Sequence, residues 1–312
     1  MDRRLLGSTG VEVSRLILGC GNFGGIGSAP EFFGQGESDA EAAAIMDRAW
    51  ELGITTFDTA DAYGGGRSES AIGKWLRARR VQPTLATKTS YPMGAGEDQG
   101  LAPARVRRQL DSSLERLGVE RVDLYLAHEP DPHVPLGETL DALDELVAAG
   151  QIGAYGGSQV DATVLREAAG RYRWVQNSYS LLERGDEADV LPLCAAQGLG
   201  YTPFSPLAGG WLAGRYRRGE PAPAGSRMTL RPGPYEHLRR DGVWDGLEAL
   251  ETRAADAGVE MATLALAWLL SDPQVTAVIV GPRSPEQLEP AVRALELELG
   301  AAERAELAAL FA

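Results

Sequence analysis

The stretch Gly53-Ile54-Thr55-Thr56-Phe57-Asp58 decides how the fold is read. Four apolar or β-branched residues between a glycine and an aspartate read as a short strand. Before it, about Asp39 to Leu52 has a helical pattern. Ser38 and Glu41 form a capping-box pair at its start, and Gly53 supplies the stop. After it, a second helical pattern covers about Glu69 to Arg80, and the strand pattern Thr84–Thr87 runs into Lys88. The unit is therefore helix, strand, polar strand end, helix.

The unit recurs along the chain. Arg3–Ser14, with Ser8-Thr9-Gly10 at its centre, reads as a hairpin, and Arg15–Leu18 as a first strand. Helices are predicted after Pro103 to near Gly118, then over Leu136–Ala149, Ala162–Ala169 and Ala188–Gln197. Between and beyond them lie short apolar strands at Asp123–Leu126, Ile152–Tyr155, Trp174–Gln176, Gly200–Thr202 and Thr276–Val280. A Gly-, Pro- and Arg-rich interruption covers about Gly209 to Asp245, followed by helices near Leu247–Ala257 and Met261–Leu270. Further helices follow Pro285 and cover Ala301–Leu310. Short apolar strands suit a sheet covered on both faces. Eight strand–helix units without a linker predict one domain over residues 1–312: a (β/α)8 TIM barrel with an N-terminal β-hairpin and long loops at the C-terminal rim. A doubly wound open sheet is the alternative. Gly19-Cys20-Gly21-Asn22-Phe23-Gly24 matches the dinucleotide fingerprint G-x-G-x-x-G, but Gly25-Ile26-Gly27-Ser28-Ala29-Pro30 cannot open the helix that fingerprint needs. It reads as a rim loop.

Composition narrows the function classes. The chain has 312 residues and a net charge of −14, which argues against nucleic acid as a main partner. No apolar run is long enough for a membrane span or a signal peptide. Two cysteines make no disulfide framework, so a reducing, cytoplasmic setting is expected. The three histidines have no paired ligand spacing, so no metal is expected.

Only two of the 30 basic residues are lysine, Lys74 and Lys88. Lys74 lies in a helical pattern and reads as solvated. Lys88 ends a strand, as do Asp58 and His128, and Tyr63 lies five residues past Asp58. Functional groups of a (β/α)8 barrel sit at such strand ends. An ammonium beside a tyrosine favours the phenolate and brings it closer to neutrality, and a carboxylate keeps a buried ammonium charged. Asp58, Tyr63, Lys88 and His128 thus suit proton transfer to a carbonyl oxygen.

At this point the chain resembles the aldo-keto reductase superfamily over nearly its whole length. The likeness rests on Gly53-Ile54-Thr55-Thr56-Phe57-Asp58-Thr59-Ala60-Asp61-Ala62-Tyr63-Gly64 and on Asp123-Leu124-Tyr125-Leu126-Ala127-His128 with Pro130-Asp131. The resemblance implies an NADPH-dependent reduction of an aldehyde or ketone, a sugar or aromatic carbonyl among the candidates, with Tyr63 as general acid. Asp58 and Lys88 would tune Tyr63, and His128 would orient the carbonyl. For the cofactor it implies Ser158, Gln159 and Gln176 at the nicotinamide carboxamide and Phe204 stacked on the ring. Ser205 and Leu207 would lie along the pyrophosphate, and Gly21 and Asn22 near the ribose. Gly281, Arg283 and Gln287 would form the adenosine-phosphate loop. Arg283 suits a 2′-phosphate and so NADP(H). Two departures matter: Gln159 stands in place of an asparagine that contacts the carboxamide, and Pro290-Ala291 stand in place of the Glu-Asn pair that binds adenine, which leaves NAD(H) as the alternative. Phe23, Tyr63, His128 and Glu129 are the expected substrate contacts. Two rival readings are a cofactor-binding regulatory protein, like the family's channel-associated members, and a Schiff-base lyase using Lys88.

Overall fold

The computed structural model describes residues 1–96 and 98–311. The hairpin consists of β1 (Arg3–Leu5) and β2 (Glu12–Ser14), antiparallel with Arg3 opposite Ser14. The parallel strands follow: β3 (Leu16–Gly19), β4 (Thr56–Asp58), β5 (Thr84–Thr89), β6 (Val122–Ala127), β7 (Ile152–Ser158), β8 (Trp174–Gln176), β9 (Gly200–Tyr201) and β10 (Val278–Val280). They form one eight-stranded sheet in the order β10-β3-β4-β5-β6-β7-β8-β9. Backbone hydrogen bonds from Thr276 N to Tyr201 O (2.9 Å) and Ile279 N to Pro203 O (3.0 Å) join its two ends. The expected (β/α)8 barrel is the observed architecture.

The helices cover its outside: α1 (Asp39–Glu51), α2 (Arg67–Arg79), α3 (Pro103–Leu117), α4 (Leu136–Ala148), α5 (Ala162–Glu167), α6 (Val190–Gln197), α7 (Arg227–Leu230), α8 (Asp241–Asp256), α9 (Met261–Leu270), α10 (Glu289–Ala294) and α11 (Ala301–Ala309). Among the described residues, no helix is long and apolar enough to cross a membrane. The capping box at Ser38 forms as expected, with the Glu41 carboxylate accepting from Ser38 N at 2.8 Å. Helices α2 and α3 approach closely where α2 has Gly73. A side-chain carbon there would lie 2.3 Å from Arg116 O.

Several boundaries move for physical reasons. Strand β4 starts at Thr56, not Ile54, because the N–H groups of Thr55 and Thr56 donate to Ser14 Oγ. Strand β10 starts at Val278. Upstream of it, the buried Arg15 guanidinium takes the carbonyls of Val275 and Thr276, and also that of Leu270 at the end of α9. The interruption after β9 is not structureless: it contains α7 and short 3-10 turns, and α8 already begins at Asp241. Gly242 and Gly246 hide the start of α8 in the sequence. Gly246 lies so close to Phe311 that a side-chain carbon would meet its ring at 2.5 Å.

Successive strand residues face opposite sides of a sheet. Leu6 and Val13 of the hairpin region enter the barrel from below and join Ile17, Ala86, Leu124, Leu126, Ala154, Trp174, Ala277 and Ile279 in an apolar inner cluster. Counting two residues onward from Ala86, Leu126 and Trp174 gives Lys88, His128 and Gln176. The apolar layer therefore ends where the polar rim begins.

The opposite face of β5 holds a buried polar layer. Thr87 Oγ1 donates to Glu69 of α2 (2.6 Å), and Arg116 of α3 pairs with the same carboxylate at 2.7 Å. Thr89 Oγ1 donates to Asp61 (2.6 Å) and accepts from the buried Arg105 (2.9 Å). The Asp61 N–H donates to Lys88 O at 3.0 Å, fastening the β4–α2 loop to β5. Asp61 is fully buried, and its Oδ1 has no partner among the described residues. Burial, with a smaller push from Glu69, raises its pKa from 3.8 to about 7. A raised carboxyl pKa stabilises the folded chain below 3.8, and that contribution is lost as pH rises through about 7. The gap, at about 1.4 kcal/mol per pH unit, bounds the effect at roughly 4 kcal/mol. Asp61→Asn should therefore flatten the fall in stability between about pH 4 and 7, the interval between the two values. Urea denaturation of both proteins across that range measures it, and parallel wild-type and variant curves would contradict the assignment.

Candidate active site

Asp58, Lys88 and His128 come from the adjacent strands β4, β5 and β6, and Tyr63 from the short 3-10 turn Tyr63–Gly65 after β4. The structure brings all four together. Lys88 Nζ lies 2.5 Å from Asp58 Oδ1, 2.7 Å from Thr59 O and 3.3 Å from Tyr63 Oη. The other Asp58 oxygen accepts from Gln176 Nε2 at 2.8 Å. The His128 and Tyr63 rings meet edge to face, with centroids 5.4 Å apart. His128 Nδ1 is buried and has no protein partner among the described residues.

Lys88 is fully buried. Burial is the largest single influence on its pKa and lowers it. Asp58 and Tyr63 together more than reverse this, so the net shift is upward and the ammonium persists. Tyr63 differs from the sequence reading, in which Lys88 brings the phenol toward neutrality. Burial raises its pKa more than the Lys88 charge and hydrogen bond lower it, and Asp58 adds to the rise. Tyr63 is thus held as a neutral O–H donor. Burial first, and the Lys88 charge second, push His128 well below its ordinary value, so its imidazole is neutral.

Ser158 ends β7 in register with Gln176, and both are buried. Gln159 turns elsewhere than expected. In a left-handed conformation (φ 55°), it donates from Nε2 to Tyr91 Oη and to His128 O, both at 3.0 Å. Phe204 packs on the inner cluster and bridges to Ser178. Ser205 is left-handed too (φ 53°), a conformation rare outside glycine, and Leu207 follows, partly buried. Gly21 faces the Tyr63 ring, where a side-chain carbon would sit 3.5 Å away. Phe23 is not on an open wall: it has no exposed surface and belongs to the core beneath the rim.

At the far end of the groove, Arg283 N donates to Gln287 Oε1 at 2.9 Å, close to Gly281 after β10. Ala291 is packed into the core, so the position of the expected adenine-binding asparagine presents nothing polar.

Three neighbours escape the sequence reading. Tyr91 stacks edge-on against His128, with centroids 4.7 Å apart, and burial together with a hydrogen bond to Glu129 raises its pKa. Its position three residues past Lys88 is the signal that was there to find. Arg227 of α7 donates to Asn22 Oδ1, while its Nη1 is buried without a partner among the described residues. Glu37 pairs with Arg283. Nothing in local pattern marks these last two, because the contacts join loops about 200 residues apart or more. Among the described residues, no cluster of three His, Cys, Asp or Glu side chains is arranged to hold a metal ion.

The comparisons with known proteins agree with this geometry. A model of the Aldo/keto reductase family matches residues 15–311. The chain is 36% identical over 319 residues to the uncharacterized oxidoreductase YrpG of Bacillus subtilis, covering 96% of this chain and 92% of that one. It is 33% identical over 311 residues to a putative voltage-gated potassium channel subunit beta of Schizosaccharomyces pombe, covering 94% and 88%. It is 32% identical over 320 residues to the NADH-specific methylglyoxal reductase of Escherichia coli, covering 97% and 96%. Since the matched span includes all eight strands of the barrel and the four strand-end groups, the chain belongs to the aldo/keto reductase family of oxidoreductases.

Proposed function

We propose that this protein is a nicotinamide-dinucleotide-dependent reductase that converts a small aldehyde or ketone reversibly to the alcohol, with Tyr63 as the proton donor. The observation that carries the reading is the buried Lys88 ammonium, held between Asp58 Oδ1 at 2.5 Å and Tyr63 Oη at 3.3 Å. When bound, the dinucleotide supplies the hydride. The chain's own residues manage the proton. A substrate carbonyl oxygen accepts hydrogen bonds from the Tyr63 O–H and the neutral His128 ring. As negative charge grows on that oxygen, the Tyr63 proton passes to it. The phenolate left behind is stabilised by Lys88, which Asp58 keeps charged and in place. Gln176 fixes the second Asp58 oxygen and so the direction of the pair.

The residues present fit a dinucleotide. Two buried polar atoms without protein partners among the described residues, Glu37 Oε2 and Arg227 Nη1, lie along the same rim. A cavity of about 230 Å³ lies beside Arg215, Arg283 and Gln287. Gly21, Asn22, Ser158, Gln176, Phe204, Ser205 and Leu207 would hold the nicotinamide half and the pyrophosphate. Gly281, Arg283 and Gln287 would hold the adenosine end. One relative is named as NADH-specific, so both dinucleotides belong in the test. On the substrate side, Tyr91 and Glu129 beside His128 offer polar groups that suit a hydroxylated or dicarbonyl substrate.

A Schiff-base role for Lys88 fits poorly, because a protonated amine has no lone pair to attack a carbonyl. The relative named as a channel subunit beta favours one second reading, a cofactor-bound sensor. One equivalent of cofactor oxidised without further turnover would favour it.

Tyr63→Phe should lower kcat by about 10²-fold or more while leaving the dinucleotide Kd nearly unchanged. Steady-state rates and calorimetric titration measure the two effects, and full turnover in the variant would sink the mechanism. Since Tyr63 is raised and His128 lowered, kcat/KM for reduction should show no break from either group between about pH 6.5 and 10, their ordinary values. A break near pH 6.5 that vanishes in His128→Gln would show that the imidazole charges in that range.

A further inference from the structure

The adenosine-end cavity is lined by Glu37, Glu41, Arg215, Gly225, Arg283 and Gln287, among others. Glu37 closes the β3–α1 loop just before the capping serine of α1, and it is only 5% exposed. Its Oε1 accepts from Arg283 Nε at 2.7 Å. Its Oε2 is buried and has no partner among the described residues. A buried carboxylate oxygen without a donor is costly, and its need is for a hydroxyl or an N–H.

Arg283 is correspondingly engaged. Nε donates to Glu37, and Nη1 donates to Gly225 O at 2.7 Å. Of its three guanidinium nitrogens, only Nη2 has no protein acceptor among the described residues. A phosphate arriving here meets an arginine whose charge a neighbouring carboxylate already balances. It must displace Glu37 or lie beside it, and like charges at close range are repelled. A ribose hydroxyl meets the opposite situation. It can donate to the unpartnered Oε2 and leave the Glu37–Arg283 pair intact.

We propose that Glu37 is the residue that reads the adenosine ribose 2′ position, favouring a free hydroxyl over a phosphate. The chain then binds NADH at least as tightly as NADPH, against the expectation from Arg283 alone. This rests on the reading of the groove as a dinucleotide site. Burial raises the Glu37 pKa more than Arg283 and Arg227 lower it, in keeping with a carboxylate short of donors.

Calorimetric titration of the purified full chain tests it with four probes: NADH, NADPH, AMP and adenosine 2′,5′-bisphosphate. Wild-type protein should bind NADH as tightly as NADPH or better, and AMP as tightly as the bisphosphate or better. Glu37→Gln, which keeps the side chain's length and one acceptor, should tighten NADPH and the bisphosphate by about tenfold while weakening NADH slightly. A wild-type preference for NADPH of tenfold or more overturns the proposal without recourse to the variant. So does an unchanged NADPH-to-NADH ratio in a folded Glu37→Gln protein. In both cases the reductase reading stands, because dinucleotide still binds. Binding of neither dinucleotide overturns that reading and the role of Glu37 with it.

Discussion

A single charge sets the terms for the rim of this barrel. The Lys88 ammonium is fully removed from water, which is unfavourable unless other groups replace the solvent. Asp58, Thr59 O and Tyr63 do so, each within 3.3 Å. To supply them, β4 must lie beside β5 in register and the loop after Asp58 must fold back over the strand end. That loop is fastened by the Asp61 N–H to Lys88 O and by Thr89 to the Asp61 side chain. The two faces of β5 therefore cooperate. Lys88 orders the inner face, and Thr87 and Thr89 tie the outer face to α2 and α3.

The same charge explains the protonation states around it. Tyr63 and His128 are both neutral, for different reasons. Burial disfavours ionisation of each, but Lys88 opposes that effect at the phenol and reinforces it at the imidazole. The site thus holds one permanent cation, one carboxylate against it, and two neutral hydrogen-bonding groups facing the opening. Such a set can donate a proton without first having to acquire one.

Much of this was legible in the sequence. Strands β4, β5 and β6 each run into a polar residue that breaks the apolar run, so Asp58, Lys88 and His128 could be placed from the sequence. The period-2 alternation from Ala86 to Lys88 and from Leu126 to His128 gives the reason they converge. What escaped is what depends on long loops meeting. Gln159 faces Tyr91 and His128 because its backbone is left-handed, which no local pattern discloses. Arg227 reaches Asn22 from a segment that reads only as Gly-, Pro- and Arg-rich. The start of α8 was hidden because Gly242 and Gly246 break its helical pattern, while Gly246 is required by close packing against Phe311. The direction of the Tyr63 shift could not be read at all, since it turns on the depth of burial and not on which residues are neighbours.

The closure of the barrel is its thinnest join. Strands β9 and β10 share only a few hydrogen bonds, and Arg15 braces the approach to β10 from the far end. Immediately above that seam, the chain continues into Phe204–Leu207 on one side and Gly281–Arg283 on the other. A molecule lying in the groove between those segments would span the seam as a clasp spans a collar. Binding there would favour the closed ring by mass action. The breathing of the ring would be concentrated at this seam, between the last two strands.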